Sequence, residues 1–163
     1  SCAAPLILGC FQPGQIQGRA GVSTQERAAF VRAWAPFALH ACATIGESSI
    51  PRVRKIYTAP IFAVVLLTFR YAPDRAEAFW GRVAENDGLR NGDPEQSLID
   101  FVVGRATYSG QQTYLSRAVA ACWNASQQGR TLRMVKVMDP LAPLRLRGTP
   151  FDGKQHLKYA DLP

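Results

Sequence analysis

A mainly α-helical small domain, with about six helices closed by a C-terminal β-hairpin (α+β in class), is the fold that this sequence predicts. Helix caps recur ahead of apolar residues at spacings of three and four, the mark of helices with one buried face. After Gly129 the apolar period shifts to two, the mark of strands. The 163 residues, 47% hydrophobic and 19% charged, suit one folded domain with a core of its own.

Residues 1–22 carry Pro5, Gly9, Pro13, Gly14, Gly18 and Gly21, which reads as a Gly/Pro-rich arm before a globular domain over 23–163. Ser23-Thr24-Gln25-Glu26 is a capping box that opens a helix running to about Trp34. Pro36 suits the first turn of a second helix, for which Gly46 is the expected stop. Pro51 opens the basic stretch Arg52-Val53-Arg54-Lys55. The run Ile61 to Leu67 has no polar face, so it is either a buried strand or the central helix of a bundle. Its β-branched residues favour a strand, while Pro60 and the helical neighbours favour a helix, which is the reading preferred.

Asp74-Arg75-Ala76-Glu77 reads as a further capping box, followed by Ala76, Phe79, Trp80, Val83 and Ala84 at helical spacing, with Gly88 as the stop. Asp93-Pro94 supplies an N-cap and a first helical residue for a helix that turns Leu98, Ile99 and Val102 inward. The last helix is expected from Ser109 or Gly110 to Gly129, with Leu115, Ala118, Val119, Cys122 and Trp123 as its buried stripe. Thr131 to Val137 and Leu144 to Arg147 are then the hairpin strands, joined through residues 139–143, and the tail from Gly148 reads as irregular.

No complete catalytic constellation is legible. His40 and His156 are the two histidines, and His40 sits beside Cys42 at a spacing that points the two side chains to different helix faces. No Cys or His spacing suits a metal and no glycine-rich phosphate loop is present, so neither metal nor cofactor is expected. Glu85, Asp87, Asp93, Glu95 and Asp100 cluster in sequence, but Asp93 suits an N-cap and Glu95 a first helical turn, where a carboxylate complements the dipole. The cysteines, Cys2, Cys10, Cys42 and Cys122, read as free thiols of a reducing compartment. The apolar run Ile61 to Leu67 is shorter than the about 18–20 residues of a membrane span, and Leu6-Ile7-Leu8 lacks the basic start of an ordinary signal peptide.

Charge is the informative signal. The chain carries a net +7, from fifteen arginines and four lysines against twelve acids. Such a balance favours an acidic partner, although a GC-rich coding sequence also inflates arginine. Arg130, Arg133, Lys136, Arg145 and Arg147 decorate the expected hairpin, and Arg52, Arg54 and Lys55 form a second basic stretch. These are the candidate partner-binding residues, with bidentate contacts to carboxylates or phosphates as their chemistry. The plainer reading is that the hairpin cations only protect an exposed strand edge.

Three stretches carry a resemblance: Leu67-Thr68-Phe69-Arg70-Tyr71 leading into Arg75-Ala76-Glu77-Ala78-Phe79-Trp80; Trp123-Asn124-Ala125 with Gly129-Arg130; and Gly148-Thr149-Pro150. Together, over residues 60–150, they resemble small accessory proteins of conjugative plasmids and integrative elements. Some of these are fertility-inhibition factors, which bind a competing plasmid's transfer machinery. The resemblance implies a cytoplasmic bacterial protein without catalysis and with a protein partner, and the net charge makes that partner an acidic protein surface, such as one on the type IV secretion coupling ATPase. A DNA-binding accessory or repressor protein using the basic surface is the alternative that the net charge keeps open. A small enzyme assembled from Arg and carboxylate groups is the third reading.

Overall fold

A computed structural model describes residues 23–46, 59–104, 112–132, 144–146 and 149–151. Within these the chain is mainly α. The helices are α1 (Thr24–Ile45), α2 (Ala59–Tyr71), α3 (Pro73–Glu85), α4 (Pro94–Gly104) and α5 (Gln112–Gln127).

Ser23 caps α1 as its sequence predicts, the hydroxyl accepting the Glu26 N–H at 3.1 Å. The helix then passes straight through Pro36, so the two helices expected on either side of that proline are one. The reason lies on the opposite face. Phe30, Trp34, Ala38, Ala41 and Ile45 form an unbroken buried stripe at spacings of four and three, and its burial outweighs the one lost backbone bond. Pro36 itself is exposed, where water can satisfy the freed carbonyl. Gly46, at φ +56°, donates its N–H to the Cys42 carbonyl and closes the helix where expected.

The stretch from Ile61 to Leu67 is helical. Ile61 through Leu66 are fully buried because α1, α3 and α5 all pack around α2. A helix enclosed on every side needs no polar face, which is why its sequence carries no helical period.

Ala72 alone separates α2 from α3. Its N–H still bonds to the Thr68 carbonyl while its own carbonyl receives Ala76, so one helix hands over directly to the next. The expected Asp74 capping box does not form: Ala72 is the N-cap, without a side-chain bond, and Pro73 takes the first helical position. Asp74 falls in the first turn, where its charge complements the dipole. The helix ends on Asn86, left-handed at φ 50° and ψ 42°, two residues before the expected Gly88.

The carbonyl of Asp93 accepts the Ser97 N–H, which starts α4, while its carboxylate turns back to the Arg90 N–H at 2.8 Å. The last helix ends on paired bonds, Gly129 N–H to the Ser126 carbonyl and Arg130 N–H to the Ala125 carbonyl, with Gly129 at φ +64°. The chain is then fastened to the α3–α4 connection. Leu132 donates its N–H to the Gly92 carbonyl, and its own carbonyl accepts the Ser97 hydroxyl. Gly92, at φ +98°, holds a backbone conformation that residues with a side chain rarely adopt, which is why glycine stands there.

The expected first strand of the hairpin begins in irregular backbone at Thr131 and Leu132, and beyond them it lies outside the described residues. A strand does run from Leu144 to Leu146 (β1), against α5 and α2. It pairs antiparallel with Thr149–Phe151 (β2), inside the stretch expected to be irregular. Pro150, opposite Arg145, is compatible with an edge strand because it has no N–H to donate.

Phe79, Trp80, Val83, Val119 and Trp123 are all core residues, as their spacing predicts. The Phe79 and Trp123 rings meet edge to face at 5.5 Å, which joins α3 to α5. Leu115, expected in the same stripe, is outside the described side chains.

Candidate functional site

The helix α3 has two working faces besides its buried one. One looks toward α1. Asp74, Glu77, Ala78, Gly81 and Glu85 recur at helical spacing along it and, with Arg82 at the edge, face His40, Ala43 and Thr44 of α1 across an open groove of about 750 Å³. The floor is built from small side chains. A Cβ on Gly81 would stand 4.0 Å from the Thr44 methyl, so the two helices come close at this point. Across the groove, His40 Nε2 and Glu77 Oε2 are 2.7 Å apart, and the His40 ring rests edge-on against Phe69 at 4.8 Å. The pair therefore ties α1 to α3 over an aromatic support from α2.

The other face of α3 looks toward α4. Arg82 reaches Asp93 at 3.7 Å and Glu95 at 3.6 Å. Glu95 is almost wholly buried and also accepts the Ser126 hydroxyl at 3.1 Å. One carboxylate thus gathers α3, α4 and α5. Beside it lies Cys122, whose thiol is pushed well up from its ordinary range, first by burial and then by the Glu95 charge. A thiol held protonated is a poor nucleophile, so Cys122 serves as packing. Both described cysteines, Cys42 and Cys122, are free thiols.

These contacts account for part of the acidic run seen in the sequence. Asp93 and Glu95 act as helix-start and clamp residues, in keeping with the structural reading, whereas Asp74, Glu77 and Glu85 belong to the groove. The groove's α3 stripe was readable from the spacing of Asp74, Glu77, Gly81 and Glu85. Its α1 wall was not, because reading Pro36 as a helix start hides the fact that His40, Ala43 and Thr44 continue the helix of Phe30 and Trp34.

Of the basic residues singled out as partner-binding, Arg130 is exposed just beyond α5, and Arg145 lies on β1 opposite Pro150. Arg52, Arg54, Lys55, Arg133, Lys136 and Arg147 lie outside the described residues, as does the 1–22 arm. Charge nonetheless divides along the chain. Eight of the twelve acidic residues, but only nine of the nineteen basic ones, fall on the described residues, so these are near neutral and the excess cations lie in the rest of the sequence.

By length and composition α1 is apolar enough to cross a bilayer, but its inward stripe packs on α2 and α3. No group of His, Cys, Asp and Glu suited to a metal occurs among the described residues. No family model, no curated protein and no solved structure matches the chain.

Proposed function

We propose that this chain is a non-enzymatic interaction factor, in which a near-neutral helical body carries basic segments that engage an acidic protein surface. The observation that carries the reading is the division of charge between body and flanks. Glu77, Asp93 and Glu95 of the body are engaged in joining helices, and the surplus arginines outside it are the groups proposed to meet a partner. Arg130 just beyond the last helix, Arg133, Lys136, Arg145 and Arg147 of the C-terminal region, and Arg52, Arg54 and Lys55 make up that proposed surface. The resemblance to fertility-inhibition proteins suggests the partner class: transfer-machinery proteins of a bacterial mobile element, the coupling ATPase among them, in the cytoplasm. No cofactor, metal, membrane span or small-molecule substrate enters this reading.

The test is capture of partners from a conjugation-proficient bacterial lysate, with and without nuclease, by the parent chain and by the Arg145→Glu/Arg147→Glu double variant. A nuclease-resistant protein partner that the folded double variant loses supports the reading. Partners lost on nuclease treatment transfer the assignment to DNA binding. In that case affinity falls steeply with salt, in proportion to the phosphates neutralised.

A further inference from the structure

The outer face of α1 departs from what a solvated helix ordinarily presents. Between Ala28 and Ala43 it exposes Ala28, Ala29, Pro36, Leu39 and Ala43, with Arg32 as its one full charge. Leu39, 57% exposed, is the large apolar side chain that stands out among the described residues. A face this poor in polar groups is suited to being covered.

Alongside it runs the α1–α3 groove. Asp74 and Glu85 mark its two ends, eleven residues apart on α3 and so about 16 Å along the axis. Both are exposed, and neither makes an ion pair among the described residues. Glu77 stands between them against His40, and Arg82, which also lines the groove, has its guanidinium drawn toward Asp93 and Glu95. An apolar strip therefore borders a trough with free carboxylates at both ends.

We propose that this strip and trough form a docking surface for a basic amphipathic helix of a partner protein. Its apolar face covers Leu39 and Pro36, and lysines or arginines three turns apart along one edge reach Asp74 and Glu85. Charge selects this occupant over the others. The carboxylates repel an anionic bilayer or a nucleic acid brought to the same face. A second copy of α1 offers Arg27 and Arg32, five residues apart, where cations eleven residues apart are needed. The inference is independent of the acidic-partner reading, since it uses another face and the opposite partner charge, so either can fail without the other.

The experiment measures fluorescence anisotropy of a labelled 14-residue Leu/Lys peptide with helical amphipathic spacing, alongside a Leu/Glu peptide of identical spacing. The Leu/Lys peptide should bind and the Leu/Glu peptide should not. Asp74→Asn with Glu85→Gln, and separately Leu39→Ser, should each weaken binding about threefold or more, as expected for removing exposed ion pairs or an apolar contact. These positions are on the surface, and unchanged thermal melts verify that the variants fold. Amide shift mapping on the parent chain supplies a readout that needs no variant: shifts should concentrate on the outer face of α1 and on residues 74–85 of α3. Absence of Leu/Lys binding, equal binding of the Leu/Glu peptide, insensitivity to both sets of substitutions, or shifts centred elsewhere would overturn the proposal.

Discussion

Thr68 gives the Trp80 indole a partner, whereas the buried Trp34 and Trp123 indole N–H groups have no acceptor among the described residues. Fully buried on α2, Thr68 donates its hydroxyl hydrogen to the Val65 carbonyl at 2.6 Å and accepts the Trp80 indole N–H at 3.0 Å. A buried indole N–H without an acceptor carries a desolvation cost. The Thr68→Val variant, close in shape, should therefore lose about 1–3 kcal/mol in denaturant unfolding. Truncating Trp80 or Trp123 to alanine should cost more, about 3–5 kcal/mol, because each leaves a cavity where helices meet. Cys122 makes a different prediction. Burial and then the Glu95 carboxylate raise its thiol well above the ordinary range, so the folded state keeps a proton that the unfolded chain releases. Its contribution is complete below the ordinary thiol pKa of about 8.5 and declines as pH rises beyond it, by up to about 1.4 kcal/mol per pH unit. Chemical denaturation from pH 8 to 10 should show this slope in the parent and a shallower one in Cys122→Ala. A thiol reagent should label Cys122 only on unfolding.

The elements show a contest between local preference and burial. Pro36 removes a donor from the middle of α1, yet the helix continues because its buried stripe spans the break. Replacing this exposed proline with alanine restores the donor and improves helix propensity. Pro36→Ala should raise stability by about 1–2 kcal/mol, well within the helix-interior difference between the two residues. A lowered melting temperature would mean that proline's restriction of the unfolded chain outweighs that gain. Between α3 and α4 the decisive contact is polar. Arg82 is about half exposed, but the Glu95 carboxylate that it faces is buried and shared with Ser126. Removing the cation leaves that charge with only a hydroxyl nearby. Arg82→Ala should cost about 1–2 kcal/mol, less than a fully buried pair because solvent screens the arginine. The companion variant Glu95→Gln should recover part of the loss, as a double-mutant cycle would reveal.

At the scale of the whole molecule α2 is the organising element. It touches α1, α3 and α5, and its residues from Ile61 to Leu66 have no exposed surface. Trp34, Trp80 and Trp123 sit on three of the helices around it and are all buried. Tryptophan fluorescence and helical circular dichroism should therefore follow one unfolding transition, and Leu66→Ala should shift both together by about 2–5 kcal/mol. Separate midpoints would show that the helices around α2 unfold independently. Charge follows a different plan from packing. The body holds most of the acids, and the flanks hold most of the surplus cations. On the two proposals, affinity for an acidic partner and affinity for a basic helix should respond separately, the first to reversing Arg145 and Arg147 and the second to neutralising Asp74 and Glu85.

Much of the helical body was determined by local sequence. The Ser23 cap, the glycine stops at Gly46 and Gly129, and the core stripe of Phe79, Trp80 and Val83 rest on hydrogen bonds and spacings within a few residues, so they are legible without a fold. The Asp74 cap failed where two local signals competed, and Pro73, with its fixed φ, took the helix start. Three matters were left to tertiary structure. Whether Ile61 to Leu67 is strand or helix depended on being surrounded, because enclosure erases the period that would distinguish them. Whether α1 breaks at Pro36 depended on a buried face whose neighbours come from distant sequence. Whether the acids between Asp74 and Asp100 cap, clamp or line a groove depended on which helix each one faced. Electrostatic roles belong to pairs of groups, and only packing brings Glu77 to His40 and Arg82 to Glu95.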